Sequence, residues 1–242
     1  MTPMHLVVLS AREDYARNII EPVSAELAMQ GVVWSVTTDH SALDETSDMV
    51  FLLGYDKIVD AKTIAKLRGR LAVFHSSDLP KGRGWAPIYT TIASQATVHT
   101  VTLCYANQAI DAGNILLKAR IPVPAYYTGA MLRSVGQRVI GQLISRYARR
   151  FNGNLPPGIE PQGESSYVPR RKPEDAEMEV DKSLSELMPH ILASEQPNAA
   201  CLTYRGEKFR IIAVPERQDI RADFRVEEYF GATLEHTITF SL

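Results

Sequence analysis

Residues 71–105 run LAVFHSSDLPKGRGWAPIYTTIASQATVHTVTLCY, and the order of elements in this stretch decides the fold. Leu71 to His75 (LAVFH) is a short β-rich run that ends on a histidine. A loop with two glycines and two cations follows. Pro87 then stands where proline is favoured, at the first turn of a helix spanning Pro87 to Ser94. Val98 to Tyr105 alternates like a strand. The same rhythm extends outward in both directions. Upstream, His5 to Ser10, Val32 to Thr37 and Met49 to Leu53 read as strands, with helices at Asp14 to Met29 and Asp60 to Leu67. Downstream, Asn114 to Ile121 is a strand, and Leu132, Val135, Val139, Leu143 and Tyr147 share one face of a long helix from Thr128 to Tyr147. Alternating strands and helices predict an α/β domain over residues 1–151, a mostly parallel sheet with crossover helices.

Asn152 to Gly163 (NGNLPPGIEPQG) is too rich in Pro and Gly for a regular element, so residues 152–166 read as a linker. Residues 167–242 read as a small C-terminal α+β appendage. It holds a short helix at Asp181 to Leu192, disturbed by Pro189, and a hairpin of Ala200 to Tyr204 with Lys208 to Val214 around Arg205-Gly206-Glu207. Its strand-like tail runs from Phe224 to Phe230 and from His236 to Leu242.

The chain is 45% hydrophobic and 22% charged over 242 residues, a globular balance that excludes a disordered or collagenous protein. Its 26 Lys+Arg against 28 Asp+Glu give a formal charge of −2, which argues against a nucleic-acid binder. Leu6 to Leu9 is too short for a signal-peptide core or a membrane span, and Glu13 and Asp14 follow at once. A cytoplasmic protein with no membrane partner is expected. Cys104 and Cys201 form no C-x-x-C, so each is read as a small buried hydrophobe.

Two stretches carry candidate chemistry. In an open parallel sheet, ligands bind beyond the carboxyl ends of the strands, where His75 is placed. Lys81, Arg83 and glycine amides at a helix N-terminus suit a diphosphate. The same loop also reads as a tight turn with solvated cations. The second stretch is Ala109 to Asn114, whose Asp111 beside His75 can orient the imidazole and raise its pKa, forming a proton-transfer couple. His5 and His99 are read as packed strand residues. His40, His190 and His236 have no partner at metal-ligand spacing, so no metal is expected. Arg146 to Arg150 reads as a solvated helix end. Neither G-x-G-x-x-G after the first strand nor G-x-x-x-x-G-K-[ST] occurs, which disfavours dinucleotide and nucleoside-triphosphate sites.

Taken together, four ordered segments resemble the folate-dependent formyltransferase family that includes methionyl-tRNA formyltransferase and the nucleotide-sugar N-formyltransferases. Met49 to Ile58 is similar to the strand and loop beside the folate pocket. Phe74 to Pro87 resembles the H-x-S-x-L-P-x-x-x-G loop, in the S-D-L-P-K-G-R-G-W form of the amino-sugar enzymes. Thr100 to Leu116 resembles the stretch that carries the catalytic aspartate, and Tyr167 to Ser183 the P-R-R-x-P-x-D segment that follows the catalytic domain. The resemblance covers about residues 49–214 and implies a Rossmann-like fold.

The resemblance further implies His75 and Asp111 as catalytic residues and 10-formyltetrahydrofolate as formyl donor, with no metal. Such enzymes join an amine to a formyl carbon. A protonated His75 would stabilise the oxyanion, and Asp111 would hold that charge or take the amine proton. Tyr55, Lys57 and the backbone around Ile110 are the folate-pocket candidates. Ser76, Lys81, Arg83, Gly84, Trp85, Arg170 and Arg171 are the substrate candidates, with Arg170 and Arg171 equally readable as solvated linker charges. The partner expected is a nucleotide-sugar substrate rather than a tRNA, because the chain is acidic and its appendage short, and a homodimer is the assembly expected. One departure stands out. The family has an asparagine two residues before the histidine, an amide donor to the oxyanion, and this chain has Val73. Asn107, Asn114, Ser76 or a backbone amide are its candidate substitutes. The departure leaves room for rivals: a formyltransferase of another small amine, a formyltetrahydrofolate hydrolase, or a non-catalytic binding homologue.

Overall fold

The computed structural model describes residues 3–196, 198–220, 223–231 and 236–241. Strand β1 (Met4–Ser10) leads through α1 (Glu13–Ile20), a 3-10 turn (Glu21–Val23) and α2 (Ser24–Met29) to β2 (Val32–Thr37). The single helix predicted over Asp14 to Met29 is cut at Pro22, whose ring and missing N–H interrupt the ladder. Next come β3 (Met49–Leu53), α3 (Ala61–Lys66), β4 (Leu71–His75), the two-residue β5 (Arg83–Gly84), α4 (Pro87–Ala93), β6 (Val98–Tyr105), β7 (Ile115–Pro122) and α5 (Gly129–Arg150). The chain closes with β8 (Tyr167–Val168), α6 (Leu184–Ala193), β9 (Cys201–Tyr204), β10 (Glu207–Arg210), β11 (Asp223–Glu228) and β12 (His236–Ser241); the last residue of the predicted tail, Leu242, lies outside the described residues.

An eight-stranded sheet in the order β12-β11-β7-β6-β4-β3-β1-β2 forms the centre. Strands β1, β2, β3, β4, β7 and β12 point one way and β6 and β11 the other, so the sheet is mostly parallel in direction. The parallel ladders are confined to β2-β1-β3-β4. The unit over residues 71–105 does not return parallel: β6 runs antiparallel to β4, with His75 opposite Thr102. The seven-residue α4 is about 10 Å long. The chain re-enters the sheet at the end where β4 finished, so β6 runs back against β4.

Side-chain alternation gives the sheet two different faces. Ala72, Phe74, Val101 and Leu103 point into the main core, where the stripe Leu132, Val135, Val139, Leu143 and Tyr147 of α5 is fully buried. Thr128 caps α5 by accepting from the Met131 N–H. Val73, His75, Thr102 and Cys104 face the other way, beneath loops instead of α5.

The domain boundaries differ from the sequence reading at two places. Residues 152–166 are a docked strap. Ile159 bridges to Ile115, the Tyr105 hydroxyl donates to the Pro156 carbonyl at 2.5 Å, and Asn114 Nδ2 donates to the Pro157 carbonyl at 3.0 Å. Prolines cannot donate, but their carbonyls still accept, and that is how this segment is held. Strands β11 and β12, in turn, belong to the main sheet and not to the appendage. Strand β11 pairs with β7, so that Phe224 and Val226 enter the main core. Alternation is visible in the sequence of β11; the partner that it covers is not. What remains of the small unit packs around Met178, Ile191 and Ala200. Its helix starts at a capping box between Ser183 and Glu186 and continues through Pro189. The second hairpin strand ends at Arg210, earlier than predicted, and Ile212 and Val214 beyond it are exposed.

Candidate active site

His75 ends β4 with its ring on the sheet face that loops cover, 7% exposed. Its Nε2 lies 2.8 Å from the Gly82 carbonyl. A carbonyl only accepts, so Nε2 carries the hydrogen of that bond. On the other side, Nδ1 is 3.4 Å from Asp111 Oδ2, and both side chains are buried. The two ring nitrogens thus face a backbone carbonyl on one side and a carboxyl oxygen on the other.

Local backbone chemistry brings Asp111 to this place. The loop after β6 must fold back towards the end of β4, and Asp111 turns it with a left-handed φ of +51°, which Asp tolerates better than most residues. Two residues on, Gly113 packs so closely that a Cβ would sit 1.9 Å from the Tyr105 carbonyl oxygen. Only glycine fits there. The Gly84 N–H donates to Asp111 Oδ2 at 3.1 Å, and Arg83 Nε donates to the Ile110 carbonyl at 2.7 Å. Gly84 is itself pressed against β8, where a Cβ would meet the Val168 carbonyl at 2.5 Å. The loop 76–86, the loop 106–114 and the end of the strap therefore converge on one histidine–aspartate pair. The Ser166 hydroxyl adds to the junction by accepting from the Gly82 N–H.

The remaining predicted residues separate into those at the pair and those beyond it. Ser76 is half-buried next to His75, Lys81 is exposed, and Ile110 presents an exposed side chain beside Asp111. Arg83 is held by one nitrogen to the Ile110 carbonyl, so its first role is to pin the Asp111 loop. Arg170 stacks over the Trp85 ring at 4.6 Å, and Arg171 over Tyr89 at 3.6 Å while donating to the Asp175 carbonyl. These cations are placed on aromatic faces, a geometry that neither reading of the linker arginines anticipated. Tyr55 and Lys57 lie on the loop after β3, the strand beside β4. The Tyr55 hydroxyl is tied to His40 Nδ1 at 2.7 Å, and Lys57 is exposed.

Two of the proposed stand-ins for the family asparagine are engaged elsewhere. Asn107 accepts from the Ala109 N–H within its own turn, and Asn114 donates to the strap. Val73 packs against Leu79, Cys104 and Ile115. Of the candidates raised by the sequence, Ser76 and backbone amides remain.

Burial and charge set the nearby titrations. Desolvation, reinforced by Asp111, pushes the Cys104 thiol up to about 12 and leaves it inert. Desolvation, with His75 nearby, pushes His99 down to about 4. Sequence reasoning missed Asp78, Lys118, Arg120 and Glu227, which form an ion-pair group on the same sheet face. Two cations spaced i, i+2 on a strand with buried neighbours were the available signal. Among the described residues no group of three or more His, Cys, Asp or Glu is placed to hold a metal, and no helix is long and apolar enough to cross a membrane.

The chain thus sets a buried histidine–aspartate pair under a glycine-rich loop at the end of a Rossmann-like α/β sheet. Residues 31–146, just under half of the chain, match the family model described as Formyl transferase. It is 27% identical over 168 residues to a methionyl-tRNA formyltransferase from Synechococcus sp. (strain JA-3-3Ab), covering 69% of this chain and 51% of that one. The chain spans about half the length of the curated relatives it matches. In fold it is similar to a 4-N formyltransferase from Francisella tularensis, with a TM-score of 0.64, 16% identity, and coverage of 90% of this chain and 100% of that one. It is also similar to HypX from Aquifex aeolicus in complex with tetrahydrofolic acid, with a TM-score of 0.67, 16% identity, and coverage of 98% of this chain and 46% of that one.

Proposed function

We propose that the chain transfers a formyl group from 10-formyltetrahydrofolate to the primary amine of a nucleotide-linked amino-deoxysugar. The observation that carries this reading is the His75–Asp111 pair, closed between the Gly82 carbonyl and the Gly84 amide. The donor supplies an activated formyl carbon. The residues of this chain fit it: Ile110 offers an apolar wall one residue from Asp111, and Lys57 a solvated cation for its acid groups.

The protein's own part is proton placement and charge stabilisation. An amine that adds to a formyl carbon must lose a proton, while the carbonyl oxygen gains negative charge; when that oxygen re-forms the carbonyl, the bond from the formyl carbon to the folate nitrogen breaks and this nitrogen takes up a proton, releasing tetrahydrofolate. Asp111 meets His75 and Gly84 through Oδ2, so Oδ1 is the oxygen left to receive the amine proton. The Nε2 hydrogen of His75, which rests on the Gly82 carbonyl, is the donor to turn towards the developing oxyanion. On the acceptor side, Trp85 under Arg170 gives a flat platform, and Lys81 and Arg83 bring positive charge for a diphosphate. The formal charge of −2 favours a small acceptor over a tRNA. Surface-glycan synthesis in the cytoplasm is the setting this reading supplies.

Purified protein incubated with 10-formyltetrahydrofolate and a panel of 3-amino- and 4-amino-deoxysugar nucleotides should yield products heavier by one formyl group. Product with methionyl-tRNA or a free amine alone would overturn the sugar assignment, and turnover without any amine would make the protein a hydrolase. A specific observation favours a second reading, a binding module without catalysis. Val73 is packed into an apolar cluster where the family places an amide, and Asn107 and Asn114 are committed to other bonds. Donor binding without turnover on any acceptor would select it.

A further inference from the structure

The ion-pair group beside the site joins three parts of the chain that are distant in sequence. Asp78 follows His75 in the loop. Lys118 and Arg120 project from β7 on the His75 face of the sheet, since Thr102 is opposite both His75 and Lys118. Glu227 comes from the tail strand β11, opposite Lys118. Lys118 Nζ meets Asp78 Oδ1 at 2.5 Å and the Leu79 carbonyl at 2.8 Å. Arg120 bridges the two acids, with one terminal nitrogen 2.9 Å from Asp78 Oδ2 and Nε 3.0 Å from Glu227 Oε1. The Tyr229 hydroxyl donates to the second Glu227 oxygen at 2.8 Å, and Thr102 donates to the Ser77 carbonyl at 2.6 Å. Residues 77, 78 and 79 are thus each held by a side chain from the sheet, immediately before the loop delivers the Gly82 carbonyl to His75.

The charges of the group balance, two acids against two bases, so the group needs no outside counter-ion. Its geometry is directional. Guanidinium nitrogens facing two carboxylates fix the plane of Arg120 and, through it, the orientation of Asp78. Burial opposes ionisation of both acids, but the Lys118 and Arg120 hydrogen bonds on Asp78, and those of Arg120 and Tyr229 on Glu227, outweigh it and hold both carboxyls below their ordinary values.

We propose that Asp78, Arg120 and Glu227 are positioning residues for His75, and that the tail strand β11 is a working part of the site because it orients Arg120. The tail clamps the loop; the loop sets the Gly82 carbonyl; the carbonyl sets the ring nitrogen that faces the reacting atoms. This rests on the formyl-transfer reading for its kinetic consequence but not for its structural one.

The test compares Asp78→Asn, Glu227→Gln and the milder Tyr229→Phe in the full chain. Amide hydrogen exchange over residues 76–84 should rise at least tenfold in Asp78→Asn and Glu227→Gln while exchange in β1 and β3 stays unchanged, and the His75 ring nitrogen signals should shift. Formyl transfer should lose about 100-fold in kcat with little change in KM, the scale of a displacement of about 1 Å at a reacting group. A double cycle of Asp78→Asn with Glu227→Gln should be non-additive, since both act through Arg120. Folded variants with unchanged loop exchange and unchanged ring signals would overturn the proposal, as would exchange that rises equally throughout the sheet. Should Asp78→Asn fail to fold, Glu227→Gln and Tyr229→Phe decide by the same readouts. A wild-type protein that transfers no formyl group would refute the formyl-transfer reading and leave the exchange and ring-signal arms to decide this one.

Discussion

Lowering the pH from 7 to 4 should destabilise this protein by an amount traceable to one residue, His99. It is 2% exposed, on the α5 side of β6. Thr91 spends its hydroxyl hydrogen on the Pro87 carbonyl, so it can only accept from His99 Nδ1, 2.8 Å away. That fixes the neutral tautomer with the hydrogen on Nδ1. Nε2 is then a buried lone pair without a hydrogen-bond partner, and protonating it would bury a cation with no acceptor. Burial accordingly lowers the pKa from 6.5 to about 4. The sign follows from linkage: in that window the unfolded chain takes up a proton that the folded chain refuses. Stability is therefore full above the unfolded pKa and falls as the pH drops towards the folded one. Linkage gives a loss of about 2 kcal/mol at pH 5 and about 3 kcal/mol at pH 4 relative to pH 7. Carboxylates titrate in the same range, so the measurement is a difference: urea unfolding of the wild type and of His99→Phe at pH 7, 5 and 4. The variant removes the titrating group and fills the same apolar space, and the gap between the two pH profiles should equal the loss attributed to His99. Parallel profiles would refute the tautomer argument.

His75→Ala and Asp111→Ala should each lower kcat by at least about 100-fold, the scale of a lost general acid or base, with folded circular dichroism spectra. Their combined loss should be far from additive if the two act as a unit. Val73→Asn should leave kcat equal or lower and reduce stability by roughly 1–3 kcal/mol in chemical denaturation, because an amide placed among Leu79, Cys104 and Ile115 meets no partner. A tenfold gain in kcat would show instead that the missing amide was limiting. Gly113→Ala should cost at least about 2 kcal/mol, since its Cβ falls 1.9 Å from a backbone oxygen that cannot yield. A wild-type melting temperature for that variant would refute the close approach.

Much of the architecture is legible in the chain itself. Strand runs of β-branched residues, Pro87 at a helix start and the face Leu132, Val135, Val139, Leu143 and Tyr147 are local signals, and each element formed where its own residues favour it. His75 and Asp111 are legible for a related reason. The loop that presents each one needs particular backbone chemistry, with glycines at 82, 84 and 113, and that requirement leaves a pattern in the sequence. The break at Pro22 is also local, a proline where a helix ladder needs an N–H. Register and partnership are different, because the free energy that decides them lies between segments far apart. Nothing within residues 223–228 says that they cover β7 instead of closing the small unit, or that Glu227 meets Arg120 across the pair. Nothing within residues 152–166 says that their proline carbonyls take the bonds of Tyr105 and Asn114. The sequence by itself determined the strands and most of the helices, since short-range sterics and periodicity suffice for these, and it singled out His75 and Asp111 through their loops and a family resemblance. Only the tertiary structure decided the antiparallel turn of β6, the docking of the strap and tail, and the network that holds the His75 loop, because hydrogen bonds and ion pairs across the sheet exist only once distant strands are side by side.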